Sequence, residues 1–343
     1  MSLALVVLVC AMEPGSCRID PPNKAYLISA TLEVQGSDST LEQLGSDSSH
    51  HLKIDLGFGS LNTVVSGAVG GVVEDSGNLV MRFLSGVAVL GPDGKVRRTL
   101  LRLGPLGWIA RIRPGWIAAT EQSNVVLFAT DGSSRIPFAH FQSYPHLRSL
   151  PNDVLAIYDT FDVYKDHESR RLSIYAGWPL KLVHRERFSA SITSVEPLSQ
   201  SVIAVATGTG PLPVDSKYVS PTVMLYDRHN FKLLAKRQLS EHGWINAMRA
   251  FDDQLVVSIA MCDTDRMNGT LRFFRNDLSD GNPSPITTSG PTMLAVVDGT
   301  HLAMAESDCR FDNVGSVLEF DSKSQRLQTI NDNLSLVFQG DGS

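Results

Sequence analysis

Short apolar runs, most of them followed closely by an aspartate, recur along the chain. Val87-Ala88-Val89-Leu90 precedes Asp93, Val125-Val126-Leu127-Phe128 precedes Asp131, and Val223-Met224-Leu225-Tyr226 precedes Asp227. The same slot holds Leu271-Arg272-Phe273-Phe274 before Asp277 and Val317-Leu318-Glu319-Phe320 before Asp321; Leu172-Ser173-Ile174-Tyr175 fills it without the aspartate. Runs of β-branched and aromatic residues of this length read as strands. The aspartates read as turn residues, because an Asx side chain bonds the backbone two positions on, and Gly follows in Pro92-Asp93-Gly94 and Thr130-Asp131-Gly132. A unit of several short strands returning about every forty to fifty residues predicts a β-propeller.

Each unit divides into four strands, A innermost to D outermost. In one, Ile192 to Val195, Val202 to Ala206, Val223 to Tyr226 and Lys232 to Gln238 take these roles in order. In the next they fall to Ile245 to Ala250, Leu255 to Met261, Leu271 to Phe274 and a short strand near Pro285 to Thr287. Strand B is almost continuously apolar, which suits a strand covered on both faces by neighbouring blades. Six units fit between Gly67 and Ile330. Ala25 to Val34, Leu52 to Leu56 and Leu61 to Val65 supply B, C and D of a further blade, and Leu334 to Phe338 supplies its missing A strand. The expectation is a single propeller domain over 21–343 with seven four-stranded blades, six being the alternative, its ring closed by pairing of the C-terminal strand with the N-terminal blade.

The length of 343 residues suits one such ring, and 43% hydrophobic against 19% charged residues supplies ample core. A net charge of −6, with no basic run interleaved with aromatics, argues against nucleic acid as partner. The apolar segment Leu3 to Val9, within residues 1–20, is too short to span a bilayer, which takes about 20 residues. With Cys10 after it, it reads as a remnant of a signal peptide or of a lipoprotein signal, so the chain is expected to be exported, whether secreted, periplasmic or lipid-anchored; a cytoplasmic protein with an apolar N-terminus is the alternative. Cys262 and Cys309 fall at matching points of successive repeats, where a disulfide between neighbouring blades is geometrically open to them; two free thiols are the other reading.

Loops joining B to C, and D to the next A, share one face of a propeller. The B–C segments 159–171, 207–222, 262–270 and 306–316 are long, and the Ser/Asp-rich segment 35–51 takes the same place in the first blade. Long loops on a rigid scaffold are where function concentrates. They carry Asp159, Asp162, Asp263, Asp265, Asp308 and Asp312. Converging carboxylates could hold Ca²⁺, with Asp263, Asp265, Asp308 and Asp312 as the candidate ligands, although a solvated acidic rim fits better and no cofactor is expected. The same rim gains Trp108 and Trp244, the centre of a Gly-Trp-Ile tripeptide found in two units, the second preceded by His242. A rim tryptophan suits stacking on a ligand or partner, whereas recurrence at equivalent positions favours packing between blades. Trp116 and Trp178 read as packing residues. No zinc-protease, nucleophile-elbow, phosphate-loop or Cys-x-x-Cys motif occurs.

The repeats resemble the broad assemblage of WD40-like, quinoprotein-like and YncE-like propellers. They depart from true WD40 repeats, since Tyr226-Asp227 and Phe320-Asp321 stand where a Trp-Asp pair would end the unit. The tryptophan-docking motifs of quinone-dependent enzymes are not evident, so the resemblance implies no cofactor. The reading that follows is a non-catalytic module whose loop-rich acidic face meets a protein or carbohydrate partner. The alternative is a hydrolase or lyase using the acidic rim with His242.

Overall fold

The computed structural model describes residues 25–33, 36–44, 51–54, 72–75, 78–83, 86–90, 96–102, 108–121, 123–141, 145–159, 170–208, 220–241, 243–263, 266–297, 299–307, 314–331 and 335–339. Within them the chain is all-β, built as antiparallel four-stranded sheets. Strands β1 (Ala25–Glu33), β2 (Gly36–Leu44) and β3 (His51–Ile54) come first. One sheet then holds β4 (Val72–Asp75), β5 (Asn78–Phe83), β6 (Gly86–Leu90) and β7 (Val96–Arg102), and the next β8 (Ile109–Arg113), β9 (Trp116–Glu121), β10 (Asn124–Ala129) and β11 (Arg135–His140). Another follows with β12 (Pro145–Leu150), β13 (Val154–Asp159), β14 (Arg171–Ala176) and β15 (Lys181–Arg187). Strands β16 (Ser191–Pro197), β17 (Val202–Gly208), β18 (Thr222–Asp227) and β19 (Leu233–Gln238) make the sheet after it. Then come β20 (Trp244–Phe251), β21 (Gln254–Asp263), β22 (Arg266–Phe274) and β23 (Ile286–Thr288), and β24 (Thr292–Val296), β25 (His301–Ser307), β26 (Val314–Asp321) and β27 (Arg326–Asn331). The last strand, β28 (Ser335–Gln339), returns to β1 and pairs antiparallel with it from Ala25↔Gln339 to Ser29↔Ser335.

In the sheets after the first the expected strands are present, and burial is greatest in the second and third strands and least in the fourth. Every residue of β17 after Val202 is buried, whereas β15 and β19 alternate between exposed and half-buried. The period of two in a strand explains how one strand serves two interfaces. Ile203 and Val205 of β17 pack with Ile174, Leu172 and Leu150 of the preceding sheet. Their neighbours Ala204 and Ala206 pack with Val257, Ile259 and Phe274 of the following one. Burying each large aliphatic side chain contributes about 1.5–3 kcal/mol relative to leaving it exposed. The cores are therefore layers between sheets, and first strands touch in succession from β4 through β8, β12, β16, β20 and β24 to β28.

The aspartates after the third strands act as turn residues. Asp131 Oδ1 accepts from Ser133 N at 2.8 Å, and Asp227 Oδ1 from His229 N and Asn230 N at 2.8 and 3.1 Å. Asp277 accepts from the hydroxyl and the amide of Ser279, and Asp321 from the Ser324 hydroxyl and the Lys323 amide. These bonds favour the ionised form and hold all of Asp227, Asp277 and Asp321 below the ordinary carboxylate range.

Two expectations need correction. The segment 36–44 is not a loop but β2, paired with β1 from Ala25↔Leu44 to Glu33↔Gly36. Its Gly36-Ser37-Asp38-Ser39-Thr40 opening is polar and sends no apolar signal, yet its backbone pairs with β1. In consequence the third and fourth strands of this sheet are 36–44 and 51–54, not 52–56 and 61–65; residues 61–65 lie outside the described residues. The segment 262–270 is likewise no loop, since β21 and β22 pair out to Cys262↔Met267 and Asp263↔Arg266. Gly269 is a strand residue in a place where a Cβ would collide with Thr288 Oγ1 and the Gly290 carbonyl oxygen.

Candidate functional site

Antiparallel pairing places the start of each first strand beside the end of each second strand, as Pro145↔Asp159 and Trp244↔Ala260 show. Trp108, Trp244, Asp159 and Asp263 therefore occupy the same edge of their sheets, the edge that the B–C and D–A segments share. Trp244 opens β20 and is buried, 5% exposed. The preceding Gly243 has φ +136, and a Cβ there would collide with the Ala260 carbonyl oxygen, so the chain enters β20 by a close approach open only to glycine. Trp244 is thus a packing residue. Trp108, its counterpart before β8, is half-buried, and its backbone is pinned by Thr120, whose amide donates to Trp108 O and whose hydroxyl accepts from Trp108 N. The β12–β15 and β16–β19 sheets stand between the two tryptophans in the chain order, so the structure does not bring them together.

Trp108 instead meets residues that sequence reasoning passed over. Its ring lies 4.1 Å from that of His146 on β12, tilted by 33°, and His146 lies 5.4 Å from Tyr158 on β13. Among these rings His146 is held neutral, with burial pushing its pKa down to about 3. Burial pushes Tyr158 up to about 12, with the Glu196 carboxylate adding to the rise while Arg148, Arg249 and a backbone bond at Val195 oppose it.

Those charged groups form a second cluster, on first strands of three successive sheets. Glu196 of β16 accepts from Arg148 Nη2 of β12 at 2.7 Å and from Arg249 Nη1 of β20 at 3.2 Å, through the same Oε2. Its side chain is 5% exposed, against 14% for Arg148 and 20% for Arg249. Ser149 Oγ donates to Arg111 O of β8 at 2.6 Å, and Asn246 Nδ2 to Thr292 O of β24 at 3.0 Å. Polar side chains of the first strands thus lash neighbouring sheets to one another. A signal for them existed in the sequence, since Arg111, Arg148, Glu196 and Arg249 are charges set within the first strands of consecutive units, strands expected to be innermost.

Asp159 ends β13 and Asp263 ends β21, while their side chains lie outside the described residues. Asp162, His242, Asp265, Asp308, Asp312 and Cys309 fall outside them altogether, as does the side chain of Cys262, whose backbone pairs with Met267. Glu306, on the same edge, accepts from the amide and the hydroxyl of Ser289 at 3.1 and 2.7 Å, tying a D–A turn to the end of β25. Among the described residues no group of three His, Cys, Asp or Glu is arranged to hold a metal ion, and no helix is long and apolar enough to cross a membrane. Trp116 and Trp178 pack on each other at 4.5 Å, with the Arg113 guanidinium 5.5 Å from the Trp178 ring centre.

No protein-family model matches the chain, and no curated protein matches its sequence. Among solved structures it is similar to the tricorn protease, a β-propeller-containing protein, with a TM-score of 0.52 and 10% identity over 86% of this chain. The fold is β-propeller-like. This chain spans 34% of the length of that protein, and at such identity the likeness shows the fold alone.

Proposed function

We propose that the sheets are the seven blades of a ring closed by β28 pairing with β1, and that the ring is a non-catalytic binding module whose loop-rich face meets a protein or carbohydrate partner. Support for closure comes from the register of β28 on β1, which gives that sheet its fourth strand from the far end of the chain. Closure of this kind removes free sheet edges and ties the termini together. The binding reading is carried by the row Trp108–His146–Tyr158, which places a half-buried indole and a neutral imidazole at the edge shared by the longer connections. Flat rings with polar tips suit a sugar face or the side chains of a protein partner. Glu196, the described carboxylate beside this row, is engaged by two arginines between sheets.

The test is binding of the purified chain to an immobilised carbohydrate panel and a displayed peptide library, repeated with Trp108→Phe and Trp108→Ala. Binding that survives Trp108→Phe but falls about tenfold with Trp108→Ala, at unchanged melting temperature, is the expected result. Turnover of glycoside or ester substrates that a single Asp263→Ala change abolishes would overturn the reading and install the hydrolase or lyase in its place.

A further inference from the structure

The fourth strands carry a charge opposite to that of the whole protein. Across β3, β7, β11, β15, β19, β23 and β27 stand 11 of the 30 lysines and arginines, and only one of the 36 carboxylates, Glu186. The outer strands are thus strongly basic in a chain of net charge −6. Part of this is edge protection, since charges and bulges keep an exposed strand from pairing with another chain. The register does shift in β15 opposite Ile174/Tyr175 and in β19 opposite Leu225/Tyr226. Edge protection leaves something unexplained, because these bulged strands also expose large aliphatic side chains.

Leu182 is 44% exposed, Val183 56%, Leu233 45% and Leu234 52%. The two pairs open β15 and β19, at the edge opposite the loop-rich face. They are drawn together by His184 and Phe231, whose rings stack at 3.9 Å and 6°, each within two residues of a pair. Trp178, in the turn before β15, adds an indole that is 39% exposed. Around them Lys181, Arg185, Lys232 and Lys236 are all exposed. Three carboxylates near this corner are bonded: Glu186 accepts from the Tyr226 hydroxyl and faces His184, Asp227 closes its own turn, and Asp280 is held by Arg237 and Arg272, while Asp153, in the turn before β13, is exposed.

We propose that this corner, formed by β15, β19 and the turn carrying Trp178, docks on an anionic lipid surface. Aliphatic tips and an indole that enter the headgroup layer, ringed by lysines and arginine that meet its negative charge, are the two parts of interfacial membrane binding. Bulges in both strands disfavour the competing use of the corner, addition of an extended acidic peptide as a further strand. Docking at this edge turns the loop-rich face away from the lipid and leaves it open to a partner. The proposal does not depend on what that partner is.

The experiment is co-sedimentation of the full chain with vesicles of phosphatidylcholine alone and of phosphatidylcholine containing phosphatidylserine, at low and high salt. Sedimentation with the anionic vesicles only, weakened by salt, is expected. Lys181→Gln combined with Lys232→Gln and Lys236→Gln changes exposed charges without touching the core, and each removed cation lowers partitioning about fivefold. Leu182→Ser or Leu233→Ser lowers it about tenfold each, with the melt unchanged. Equal sedimentation with both vesicle types, or none with either, overturns the proposal. So does retention of vesicle binding by the triple lysine variant. Polyglutamate displacing the chain from anionic vesicles only at the triple-lysine site, while Leu182→Ser has no effect, assigns the corner to an acidic polypeptide and likewise overturns it.

Discussion

Glu196→Gln isolates what the carboxylate between Arg148 and Arg249 contributes. The change keeps the shape of the side chain and one acceptor oxygen, removes the charge and turns the other oxygen into an NH2 donor. With Glu196 5% exposed and its partners 14% and 20%, water cannot take over its role, and removing one member of a buried ion pair costs about 3–5 kcal/mol. Melting entropy for a chain of 343 residues is about 0.7 kcal/mol per kelvin, so the melting temperature should fall by about 4–7 °C. The internal control is Glu121→Gln. Arg135–Glu121 has the same 2.7 Å separation as Arg148–Glu196, but its side chains are 54% and 33% exposed, and such a pair contributes about 0–1 kcal/mol. Differential scanning calorimetry of both variants at low salt and at about 1 M salt separates the effects, because screening acts on the exposed pair and little on the buried one. Equal shifts for the two variants would refute the reasoning, since the Glu196 pair is buried and carries a second arginine, Arg249, and the Glu121 pair is exposed. A Glu196→Gln shift that vanishes at high salt would refute it as well.

His146 gives a pH dependence of definite sign. Its folded pKa of about 3 lies below the ordinary 6.5, so the neutral form belongs to the folded state and the charged form to the unfolded chain. Stability from this group is complete above pH 6.5 and is lost progressively as pH falls toward about 3; His146→Phe should flatten that slope in melts at pH 7 and pH 4.5, and an unchanged slope would exclude His146 as its source. Gly243→Ala should lower the melting temperature even though it adds only a methyl group, because φ +136 is strained for any L side chain and the Ala260 carbonyl stands where the Cβ would go. Gly115→Ala is the comparison: its φ is +78 but nothing lies within 4 Å of a Cβ, so its loss should be the smaller of the two.

Most third strands were legible because in them residue type and position agree. Such a strand is flanked on both sides within its own sheet and covered by its neighbours, so apolar side chains serve at many positions, and an Asx turn often punctuates the end. Val223–Tyr226 and Leu271–Phe274 accordingly fall inside β18 and β22. β2 was illegible for the converse reason. A strand can form from backbone bonds with a polar face, and Ser37, Asp38 and Ser39 then look like a loop. The 262–270 hairpin read as a loop because Asp263, Asp265, Asn268 and Gly269 are poor strand formers; the smallness of Gly269 answers the approach of Thr288 and Gly290 from β23 and the turn after it, a contact remote in sequence.

The same distinction governs the site. Loop length and aspartate content mark a rim, but they do not say which side chains meet, and Trp108 found its neighbours on the first two strands of the next sheet, β12 and β13, rather than at Trp244. What brings Trp108, His146 and Tyr158 together is register: His146 pairs with Tyr158, and both lie at the edge that the chain reaches as it passes from β8's sheet to the next. Two residues along β12, on the same strand face, Arg148 meets Glu196. The neutral imidazole and the charged cluster are therefore successive steps along one strand, with Tyr158 interacting with both. Charge buried between the first strands of successive sheets ties those sheets to one another, and the aromatic row stands on that base. A change at Glu196 that loosens the sheets should for this reason weaken any binding that depends on Trp108, whereas a change at Trp108 should leave the Glu196 contribution to melting intact.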